Sequence, residues 1–483
     1  SGRSAVNDRI LLCLLAGVLA GGCASSQPPA ASPAEPDALE AASPAPATPP
    51  AASKAEAMGQ LDFRRVVRAA KEKVFPSVIY IKCLRESHET GKKITQEVVG
   101  SGVVITPEGE ALTNWHVVDK AVSIRCLLYD GRAMEAELVG TDKDTDLALI
   151  RLKVAGEPLP AAELGDSDVL KEGDFVMAMG APWGMNRSVS IGIISCTRRY
   201  LPENSQYSLW LQTDAAISPG NSGGPLVDTG GRVIGINTRG VMYGGDVGFA
   251  VPSRTVRLIV DQLREHGEVN WSWTGLQLQP LKDFNKDIYF EGSEGVIVAE
   301  TDPESPARRA GLRPRDRILA INGQPISVQW DEALPDARRT FGQLPKGRPV
   351  KLLVQRDQQE RTIELTPREK GDVEGEELAC PRWDLTVKTI NQFDNPDLYF
   401  HRKKGVFVYG IKYPGNAANS GIEAKDILLK IGKRKIGTLD DVKKAHAEAI
   451  ENIKKSHRIL LTVLRNGLMR HVVLDFQRDF ERQ

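Results

Sequence analysis

The chain has 483 residues, 41% hydrophobic and 26% charged, which is enough for roughly two to four globular domains of about 150 residues each. Lysine plus arginine and aspartate plus glutamate number 63 each, so the formal net charge is zero. This balance excludes a global field that would draw the chain to nucleic acid or to an acidic partner, and it does not identify a substrate.

The first 23 residues have the pattern of a signal peptide. Arginines precede an apolar run at 10–20, and small residues follow. The run is too short to remain as a membrane-spanning helix, which needs about 20 apolar residues. The Gly22-Cys23 junction resembles a bacterial lipobox, although position 20 is alanine where leucine is usual. We expect a lipid anchor on Cys23, with ordinary cleavage as the alternative.

Residues 24–57 are almost wholly alanine, proline, serine, threonine and acidic residues, with no aromatic residue. Such a composition cannot bury enough surface to fold, so this segment is predicted to be a disordered tether. It would span roughly 30 Å as a flexible coil, or about 105 Å as extended polyproline II.

Residues 58–268 have the pattern of a domain built mainly from short strands. A helix comes first, because Phe63–Phe75 has helical apolar spacing and Pro76 stops it. Short β-branched runs separated by glycine turns follow at Val78–Ile81, Val103–Ile105, Val122–Leu128, Leu147–Leu152, Phe175–Met179 and Val233–Ile236. Such strands are typical of an all-β barrel or sandwich.

Two polar segments stand at the ends of these runs. His116 follows an apolar stretch and a turn, although a lone histidine in this setting is also compatible with a structural role. Asp142, Asp144 and Asp146 precede the apolar run that starts at Leu147. An acid at a strand mouth can hold a histidine in one tautomer.

Ser222 lies in the run Gly-Asn-Ser-Gly-Gly-Pro-Leu that begins at Gly220. Residues without a Cβ let the backbone aim two N–H groups beside a serine hydroxyl, as an acyl-transfer site requires. The predicted oxyanion hole is Gly220, Asn221 and Ser222, with the amides of Gly220 and Ser222 as donors. Taken alone, the run is also compatible with a tight turn.

The chain order His116, Asp146, Ser222 is that of chymotrypsin-type double barrels, and subtilisin and α/β-hydrolases order these roles differently. The segments TNWHVV, DTDLALIRL and TDAAISPGNSGGPL resemble the catalytic motifs of the HtrA/Deg serine proteases. The resemblance implies that Ser222 attacks the peptide carbonyl, His116 carries its proton and Asp146 orients the imidazole. It favours Asp146 over Asp142 and Asp144, because the family motif has the acid directly before Leu-Ala-Leu.

Specificity is predicted from the residue five positions before the nucleophile. Ile217 stands there, at the base of the side-chain pocket, and no acid is present to receive lysine or arginine. An apolar floor favours small or medium aliphatic residues before the scissile bond. Gly240 stands where relatives often carry an aliphatic wall residue, which leaves the pocket width open.

After Trp271 a pattern occurs twice, which indicates an internal repeat. The first copy contains Gly295–Val298, Ser305–Ala307, Ala310–Leu312, Asp316–Leu319 and Ile321–Gly323, and the second contains Gly405–Val408, Asn416–Ala418, Ser420–Ile422 and Asp426–Leu429. Both resemble PDZ domains, at 271–368 and 380–479. The predicted fold class is therefore mainly β, with a chymotrypsin-like double β-barrel followed by two α+β PDZ domains.

A PDZ domain binds a peptide C-terminus by adding it as a strand, while a glycine-containing loop receives the carboxylate. The first copy offers Trp273, Thr274, Gly275 and Leu276 for that loop, so we expect it to bind hydrophobic C-terminal peptides. In the second copy Asp384 replaces the glycine, and its charge would oppose a carboxylate. We expect weak or absent terminal-peptide binding there, and a role as spacer or subunit contact is the alternative.

No cysteine pair has the Cys-x-x-Cys spacing of a metal site and the sequence has no P-loop, so we expect no metal, no cofactor and no ATP-driven unfolding. Cys83 and Cys126 share the inward parity of their strands. They are predicted to be buried free thiols, and a disulfide between them is the alternative in an oxidising compartment.

Two function classes stay open. The first is an ATP-independent serine endoprotease of the bacterial periplasm or cell envelope that degrades unfolded or damaged proteins. The second is a non-cleaving chaperone or peptide-binding scaffold, and the complete triad favours the protease. The resemblance also implies a homo-oligomer, with the helix at 63–75 packing subunits into a trimer, although this helix could equally cap its own barrel.

Overall fold

The computed structural model describes residues 62–182, 187–202, 205–241, 247–283, 286–371 and 374–480. The signal peptide and lipobox predicted at 1–23 and the tether predicted at 24–57 lie outside the described residues. Within the described ranges, no helix is both long and apolar enough to cross a bilayer.

Helix α1 covers Phe63–Val74, which confirms the predicted helix to within one residue. Asp62 caps it by accepting a hydrogen bond from the Arg64 amide at 3.1 Å. A 3-10 turn at Phe75–Ser77 contains Pro76 and ends the helix. The buried residues Ala70 and Val74 belong to a core cluster that contains residues of both barrels described below, such as Leu147 and Val233, so the apolar face of α1 packs within its own chain.

The first barrel is closed and has the strand order β1-β2-β3-β6-β5-β4. Its elements are β1 (Val78–Ser87), β2 (Ile94–Val104), β3 (Glu110–Thr113), the short helix α2 (Trp115–Val118), β4 (Ala121–Leu127), β5 (Ala133–Asp142) and β6 (Leu147–Leu152). Along β1 the side chains of Ile79, Ile81 and Cys83 are fully buried, whereas the alternate residues are partly exposed. This period of two fills the barrel interior.

The second barrel is also closed, in the order β10-β11-β12-β9-β8-β7. A 3-10 turn at Ser167–Val169 precedes it, and its strands are β7 (Phe175–Gly180), β8 (Ser188–Tyr200), β9 (Leu209–Thr213), β10 (Pro225–Asp228), β11 (Val233–Val241) and β12 (Val247–Pro252). Each run predicted from the sequence lies on or overlaps one of the barrel strands. Helix α3 (Ser253–His266) follows and ends at Gly267, whose φ of 76° is left-handed. Arg264 of α3 pairs with Glu110 of the first barrel at 2.8 Å.

The first C-terminal sheet has the strand order β14-β17-β18-β20-β21. Its region contains β13 (Ser272–Trp273), β14 (Leu276–Gln279), β15 (Lys282–Asp283), β16 (Ile288–Tyr289), β17 (Val296–Thr301), α4 (Pro306–Arg309), β18 (Arg317–Ile321), β19 (Gln324–Pro325), a 3-10 turn (Asp331–Ala333), α5 (Leu334–Gly342), β20 (Val350–Arg356), β21 (Gln359–Leu365) and β22 (Arg368–Glu369). Helix α5 packs beside β13 and β14.

The second sheet repeats this topology as β24-β25-β26-β28-β29 and adds β23 outside β24. Its elements are β23 (Glu377–Cys380), a 3-10 turn (Pro381–Trp383), β24 (Leu385–Thr389), α6 (Pro396–His401), β25 (Val406–Ile411), α7 (Asn416–Asn419), β26 (Ile427–Ile431), β27 (Arg434–Lys435), α8 (Leu439–Glu451), β28 (Arg458–Arg465) and β29 (Leu468–Asp475). The fold is therefore mainly β, with two closed barrels followed by two PDZ-type domains, as predicted.

The second sheet docks on the turn between β1 and β2 of the first barrel. The Thr386 hydroxyl donates to the His88 carbonyl at 2.5 Å, and the Tyr409 hydroxyl donates to the Glu89 carboxylate at 3.1 Å. A Cβ on Gly91, where φ is 76°, would lie 2.0 Å from the backbone nitrogen of Lys412. Glycine at this position therefore allows direct backbone contact between the two domains.

Cys83 and Cys126 are buried free thiols in the structure, as predicted. Burial raises the pKa of each thiol to about 12, and for Cys126 the nearby Cys83 adds to the effect. Both side chains belong to the core of the first barrel. They act there as small apolar groups.

Candidate active site

Asp146 is the last residue of the turn that leads from β5 into β6. Its φ of 55° lies in the left-handed region, which aspartate tolerates better than most residues. Its carbonyl oxygen accepts hydrogen bonds from the Asn114 side chain at 3.0 Å and from the Trp115 amide at 3.2 Å. These contacts fix the turn against the start of α2, which carries His116.

His116 faces the carboxylate of Asp146. Its Nδ1 lies 2.8 Å from Oδ2 and 2.9 Å from Oδ1, and its backbone amide donates to Oδ1 at 3.1 Å. Since Nδ1 is engaged by an acceptor, we assign the proton of the neutral ring to Nδ1, which leaves Nε2 with a free lone pair. The His116 side chain is one-quarter exposed, so the ring has access to a substrate.

Asp142 and Asp144, the other two candidate acids, have different partners. The Asp142 carboxylate accepts from the amide and hydroxyl of Thr145 at 3.1 and 2.6 Å. Its full burial, together with the charge of Asp144, raises the pKa of Asp142 to about 6. Asp144 pairs with the ammonium of Lys370 at 2.9 Å.

Two residues that follow the first PDZ-type sheet therefore hold the acid-bearing turn, residues 142–146. Lys370 binds Asp144, and Glu374 forms an ion pair with Lys143. The ammonium of Lys143 also lies 5.0 Å from the ring centroid of Trp115, directly before His116. The C-terminal half of the chain thus contacts the turn that presents Asp146.

Ser222 lies in a loop that is bound to the first barrel. Its carbonyl accepts from the Ser101 amide at 2.8 Å, and the Ser101 hydroxyl donates to the Gly220 carbonyl at 2.6 Å. Gly223 has a φ of 85°, and a Cβ there would lie 2.2 Å from the Ser101 carbonyl oxygen. Only glycine fits this approach without displacing the backbone.

The Ser222 hydroxyl donates its proton to the carbonyl of Thr238 at 2.6 Å. It has one proton to donate, so in this arrangement it does not donate to His116. The Thr238 hydroxyl in turn donates to Asp146. Thr238 therefore connects the serine with the histidine–aspartate pair, although the sequence analysis gave it no role and no periodicity or spacing marks it.

The amides of the predicted oxyanion hole differ in their partners. The Asn221 amide donates to the Ser218 carbonyl at 3.0 Å, within a turn. In the described part of the chain, the amides of Gly220 and Ser222 have no hydrogen-bond acceptor. The Asn221 side chain accepts from the Ser188 hydroxyl at 3.2 Å. Gly220 and Ser222 thus have amides available for an oxyanion, whereas Asn221 holds the turn.

The predicted pocket residue Ile217 packs against a glycine that the sequence analysis missed. A Cβ on Gly248 would lie 2.7 Å from the Cδ1 atom of Ile217. Gly240 is the partner of Gly248 in the pairing of β11 with β12. A glycine inside the apolar strand at 247–252 was a sequence signal for such a close approach.

The four predicted loop residues of the first PDZ-type domain lie at the junction of β13 and β14, with Thr274 and Gly275 between the two strands. Trp273 belongs to β13, and the Arg368 guanidinium lies 4.1 Å from its ring centroid. Gly275 has a φ of 71°, and a Cβ there would lie 2.2 Å from that of Ser305. The carbonyls of Thr274 and Gly275 accept hydrogen bonds from other parts of the domain, at 2.9 and 2.8 Å.

Beyond this loop lies a cavity of about 1050 Å³. All four predicted loop residues line it, together with Phe341 of α5; they are Trp273, Thr274, Gly275 and Leu276. The acid-bearing turn and Phe400 of α6 also contribute to its walls. The exposed side of β14 therefore opens into a space shared by the barrels and both PDZ-type domains.

Two closed six-stranded barrels with a histidine–aspartate pair and a neighbouring serine loop define the chymotrypsin class of protease folds. Residues 100–236 match the family model of the trypsin-like peptidase domain, and residues 297–356 match that of the PDZ domain. A probable periplasmic serine endoprotease, DegP-like, of Halomonas elongata is 36% identical over 387 residues, which cover 78% of each protein. A protein of the same name from Pseudomonas savastanoi pv. phaseolicola is 35% identical over 380 residues, covering 76% of this chain and 77% of that protein.

Solved structures that are similar to this chain are also proteases of the HtrA type. The HtrA-type protease AlgW with tripeptide has a TM-score of 0.56 and 33% identity, and the match covers 63% of this chain and 97% of that chain. AlgW with decapeptide has a TM-score of 0.55 and 31% identity, covering 63% and 99%. The chain belongs to the HtrA family of trypsin-like serine endoproteases and resembles its DegP-like members. The predicted enzyme class, a serine endopeptidase, is confirmed.

Proposed function

We propose that Ser222, His116 and Asp146 form the catalytic triad of this endoprotease. The single observation that carries the proposal is the pair of contacts, 2.8 and 2.9 Å, between Nδ1 of His116 and the Asp146 carboxylate. They present Nε2 as the base, and the Asp146 charge stabilises the imidazolium that forms. Because the Ser222 hydroxyl donates to Thr238, rotation about its Cα–Cβ bond precedes attack.

The reaction then follows acyl transfer to serine. The Ser222 oxygen bonds to the substrate carbonyl carbon while its proton moves to Nε2 of His116. The amides of Gly220 and Ser222 receive the oxyanion, and Asn221 keeps the turn in place. The carbon–nitrogen bond breaks as His116 protonates the leaving amine. Water, deprotonated by the same histidine, releases the acyl group.

The specificity pocket is proposed to have Ile217 at its base and the paired Gly240 and Gly248 at its wall. The Cδ1 atom of Ile217 lies so close to Gly248 that a Cβ there would be 2.7 Å from it, so an apolar side chain fills the floor. Such a pocket takes small or medium aliphatic side chains and rejects charged ones, which would lose hydration without gaining a partner.

We propose the domain division 58–268 for the protease, 271–368 for the first PDZ domain and 380–479 for the second. Unfolded or damaged proteins of the bacterial cell envelope are the proposed substrates, cleaved without ATP. The relatives of this chain are named as probable periplasmic endoproteases, which supports this location. Hydrophobic C-terminal peptides are proposed to bind at Thr274, Gly275 and Leu276, beside the buried Trp273 and along the exposed edge of β14.

A lipid anchor on Cys23 and a homotrimer remain proposals that the leader sequence and the family resemblance support. Mass spectrometry of the mature N-terminus tests the anchor, because an unmodified N-terminus at another residue contradicts it. Sedimentation of the chain without its leader tests the trimer. A monomer at micromolar concentration would agree with α1 packing only within its own chain.

The proteolytic function is tested with Ser222→Ala and the matched control Ser218→Ala, an exposed serine of the same loop. Ser222→Ala should abolish cleavage of unfolded casein and labelling by a fluorophosphonate, while Ser218→Ala keeps both. The loss expected for removing a serine nucleophile is on the order of 10⁶-fold in kcat. A wild-type chain that binds casein but neither cleaves it nor takes the label would instead be a chaperone or scaffold.

A further inference from the structure

The second PDZ-type sheet has a strand at the edge where the first sheet is open. β23 runs antiparallel to β24, with Cys380 opposite Leu385 and Glu377 opposite Lys388. The strand of the first sheet that is equivalent to β24 is β14. It is the end strand of its sheet and faces the cavity. The same fold therefore has a free edge in one copy and a paired edge in the other.

β23 lies where a bound peptide would lie in a PDZ domain. A peptide ligand adds as an antiparallel strand beside a helix, and β23 pairs with β24 and packs against α8. Cys380 is fully buried and belongs to the same hydrophobic cluster as Val442 and Ala445 of α8. Leu378, two residues earlier on the same face, packs against this cluster.

The loop before β24 does not offer a place for a free carboxylate. Asp384 has a φ of 54° and occupies the left-handed position that Gly275 has in the first sheet. Its own carboxylate accepts from the Asn416 amide at 2.9 Å, at the start of α7, and lies 3.5 Å from the Lys412 ammonium. The donors near this loop are therefore already bound to an anion, and a peptide C-terminus would be repelled.

The other end of β23 is fixed to the protease domain. The Glu377 carboxylate lies 2.6 Å from the Lys120 ammonium, 3.2 Å from Nδ1 of His88 and 3.3 Å from the buried Lys388. Lys120 follows helix α2, which carries His116. β23 thus joins the groove of the second sheet to the barrel that presents the catalytic histidine.

We propose that the groove between β24 and α8 is a second peptide-binding site whose resident ligand is this chain's own segment Glu377–Cys380. The external ligand is an internal extended segment of an unfolded protein, with a small apolar side chain at the Cys380 position and leucine two residues before it. A tethered occupant acts at a high effective concentration, so a free peptide enters only where β23 is weakened or outcompeted. The proposal goes beyond the proposed function, which assigns peptide ends to the first PDZ domain.

The test uses the full chain with Ser222→Ala, which prevents cleavage of the probe. The probe is a fluorescein-labelled peptide with blocked ends that contains Glu-Glu-Leu-Ala-Val, where valine replaces the thiol residue. Leu378→Lys weakens β23 without changing the groove, and Glu376→Lys introduces the same side chain at an exposed residue outside β23. We expect Leu378→Lys to lower the Kd of the probe at least tenfold and Glu376→Lys to leave it unchanged.

Hydrogen exchange locates the binding. In Leu378→Lys, amides at 385–389 should exchange faster than in the parent, and the probe should restore their protection together with that of α8. Faster exchange without binding of the probe overturns the proposal, because the groove would be open and unused. Unchanged exchange at 385–389 overturns it too, because β23 would not depend on the contact of Leu378.

A second measurement needs no change in β23. Excess unlabelled peptide added to the Ser222→Ala chain should raise the alkylation rate of Cys380, because displacement of β23 exposes this thiol. No increase at a peptide concentration of a few millimolar overturns the proposal. Exchange protection at 276–279 reports peptide binding by the first PDZ domain separately, and casein cleavage by the unsubstituted chain reports proteolysis. A failure of either proposed function can therefore be distinguished from a failure of binding in the groove between β24 and α8.

Discussion

The two PDZ-type sheets share one topology and differ at the strand that a bound peptide would extend. β14 has a neighbour on one side and a cavity on the other, whereas β24 lies between β23 and β25. Both loops before these strands have a left-handed residue, with a φ of 71° at Gly275 and 54° at Asp384. This backbone position is therefore retained while the side chain that occupies it changes. The comparison shows that the few residues preceding a PDZ strand decide whether its edge is open to a partner.

The largest expected effect comes from transferring the acid of the second loop to the first, as Gly275→Asp. A Cβ there would lie 2.2 Å from that of Ser305, and the new charge would repel a carboxylate. We expect a hydrophobic C-terminal peptide to bind about 100-fold more weakly, which is about 2.7 kcal/mol. Fluorescence anisotropy on the Ser222→Ala chain measures this.

The matched control is Gly347→Asp, in the same domain. Gly347 has a φ of 68°, so the backbone strain is similar, but no atom lies within 4 Å of the added Cβ. Equal losses in both variants would mean that strain in the domain, and not the loop, weakens binding.

Glu377→Gln tests the closed edge of the second sheet, because it removes the charge that binds β23 to Lys120 and Lys388. Lys120 and Lys388 lose their charged partner, and Lys388 keeps Asp394 at 2.9 Å. We expect β23 to open about tenfold more often, or about 1.4 kcal/mol, which exchange at 385–389 measures. The exposed Glu376→Gln should have no effect.

The difference in amide exchange between wild type and Glu377→Gln should depend on pH. Burial alone would raise the pKa of Glu377, but hydrogen bonding and charge from Lys120, with the charge of Lys388, hold it below its ordinary value. A carboxyl with a lowered folded-state pKa stabilises fully above its unfolded pKa of about 4.3 and loses this effect as the pH falls through the folded value. The gap between wild type and Glu377→Gln, corrected for intrinsic exchange, should therefore close below about pH 4. A gap that stays constant down to pH 3 would contradict the role of the charge.

Tyr409→Phe removes one exposed contact between the second sheet and the first barrel. The lost hydrogen bond to Glu89 is 3.1 Å long, while the ring remains available to the Lys388 ammonium, 4.6 Å from its centroid. We expect a cost of about 0.5–1 kcal/mol in docking, seen as two- to fivefold faster exchange at residues 88–91. Tyr413→Phe, at a tyrosine that is 87% exposed, is the control and should change nothing.

The smallest effect is expected for Asp384→Gly, which gives the second loop the glycine of the first. Binding of a C-terminal peptide to the second sheet should change by less than about twofold, because β23 still occupies the groove. Chemical-shift changes of labelled amides at 385–389 on titration with the peptide measure this. Strong binding in the single variant would show that the acid alone blocks the site.

The sequence was sufficient for features that a local pattern encodes. Short β-branched runs separated by glycine turns predicted a barrel or sandwich, and the glycines around Ser222 predicted a tight loop, because such patterns reflect backbone sterics. Comparison of the two repeats also showed that Asp384 stands where the first copy has a glycine. His116 and Asp146 could be proposed as partners because of their chain order with Ser222 and the resemblance of their segments to HtrA/Deg motifs.

Other features depend on contacts between residues far apart in the chain. Thr238 connects Ser222 with Asp146 through one carbonyl and one hydroxyl, and no sequence spacing encodes that juxtaposition. β23 has only four residues, too few for a periodicity, and it is a strand because β24 and α8 provide its partners. The resting direction of the Ser222 hydroxyl is likewise a rotamer selected by its surroundings.

The ion pairs of Lys370 and Glu374 with the acid-bearing turn affect what a truncated protease domain would retain. A chain cut after residue 268 retains every reacting group, yet Asp144 and Lys143 lose their ion-pair partners. The buried carboxyl of Asp142 would then keep the repulsion of Asp144 without the offsetting charge of Lys370. An isolated protease fragment would thus contain His116, Asp146 and Ser222 but lack the ion pairs that hold the acid-bearing turn. Residues 370–374 added as a peptide would not restore these ion pairs, because the PDZ-type domains position Lys370 and Glu374 in the full chain.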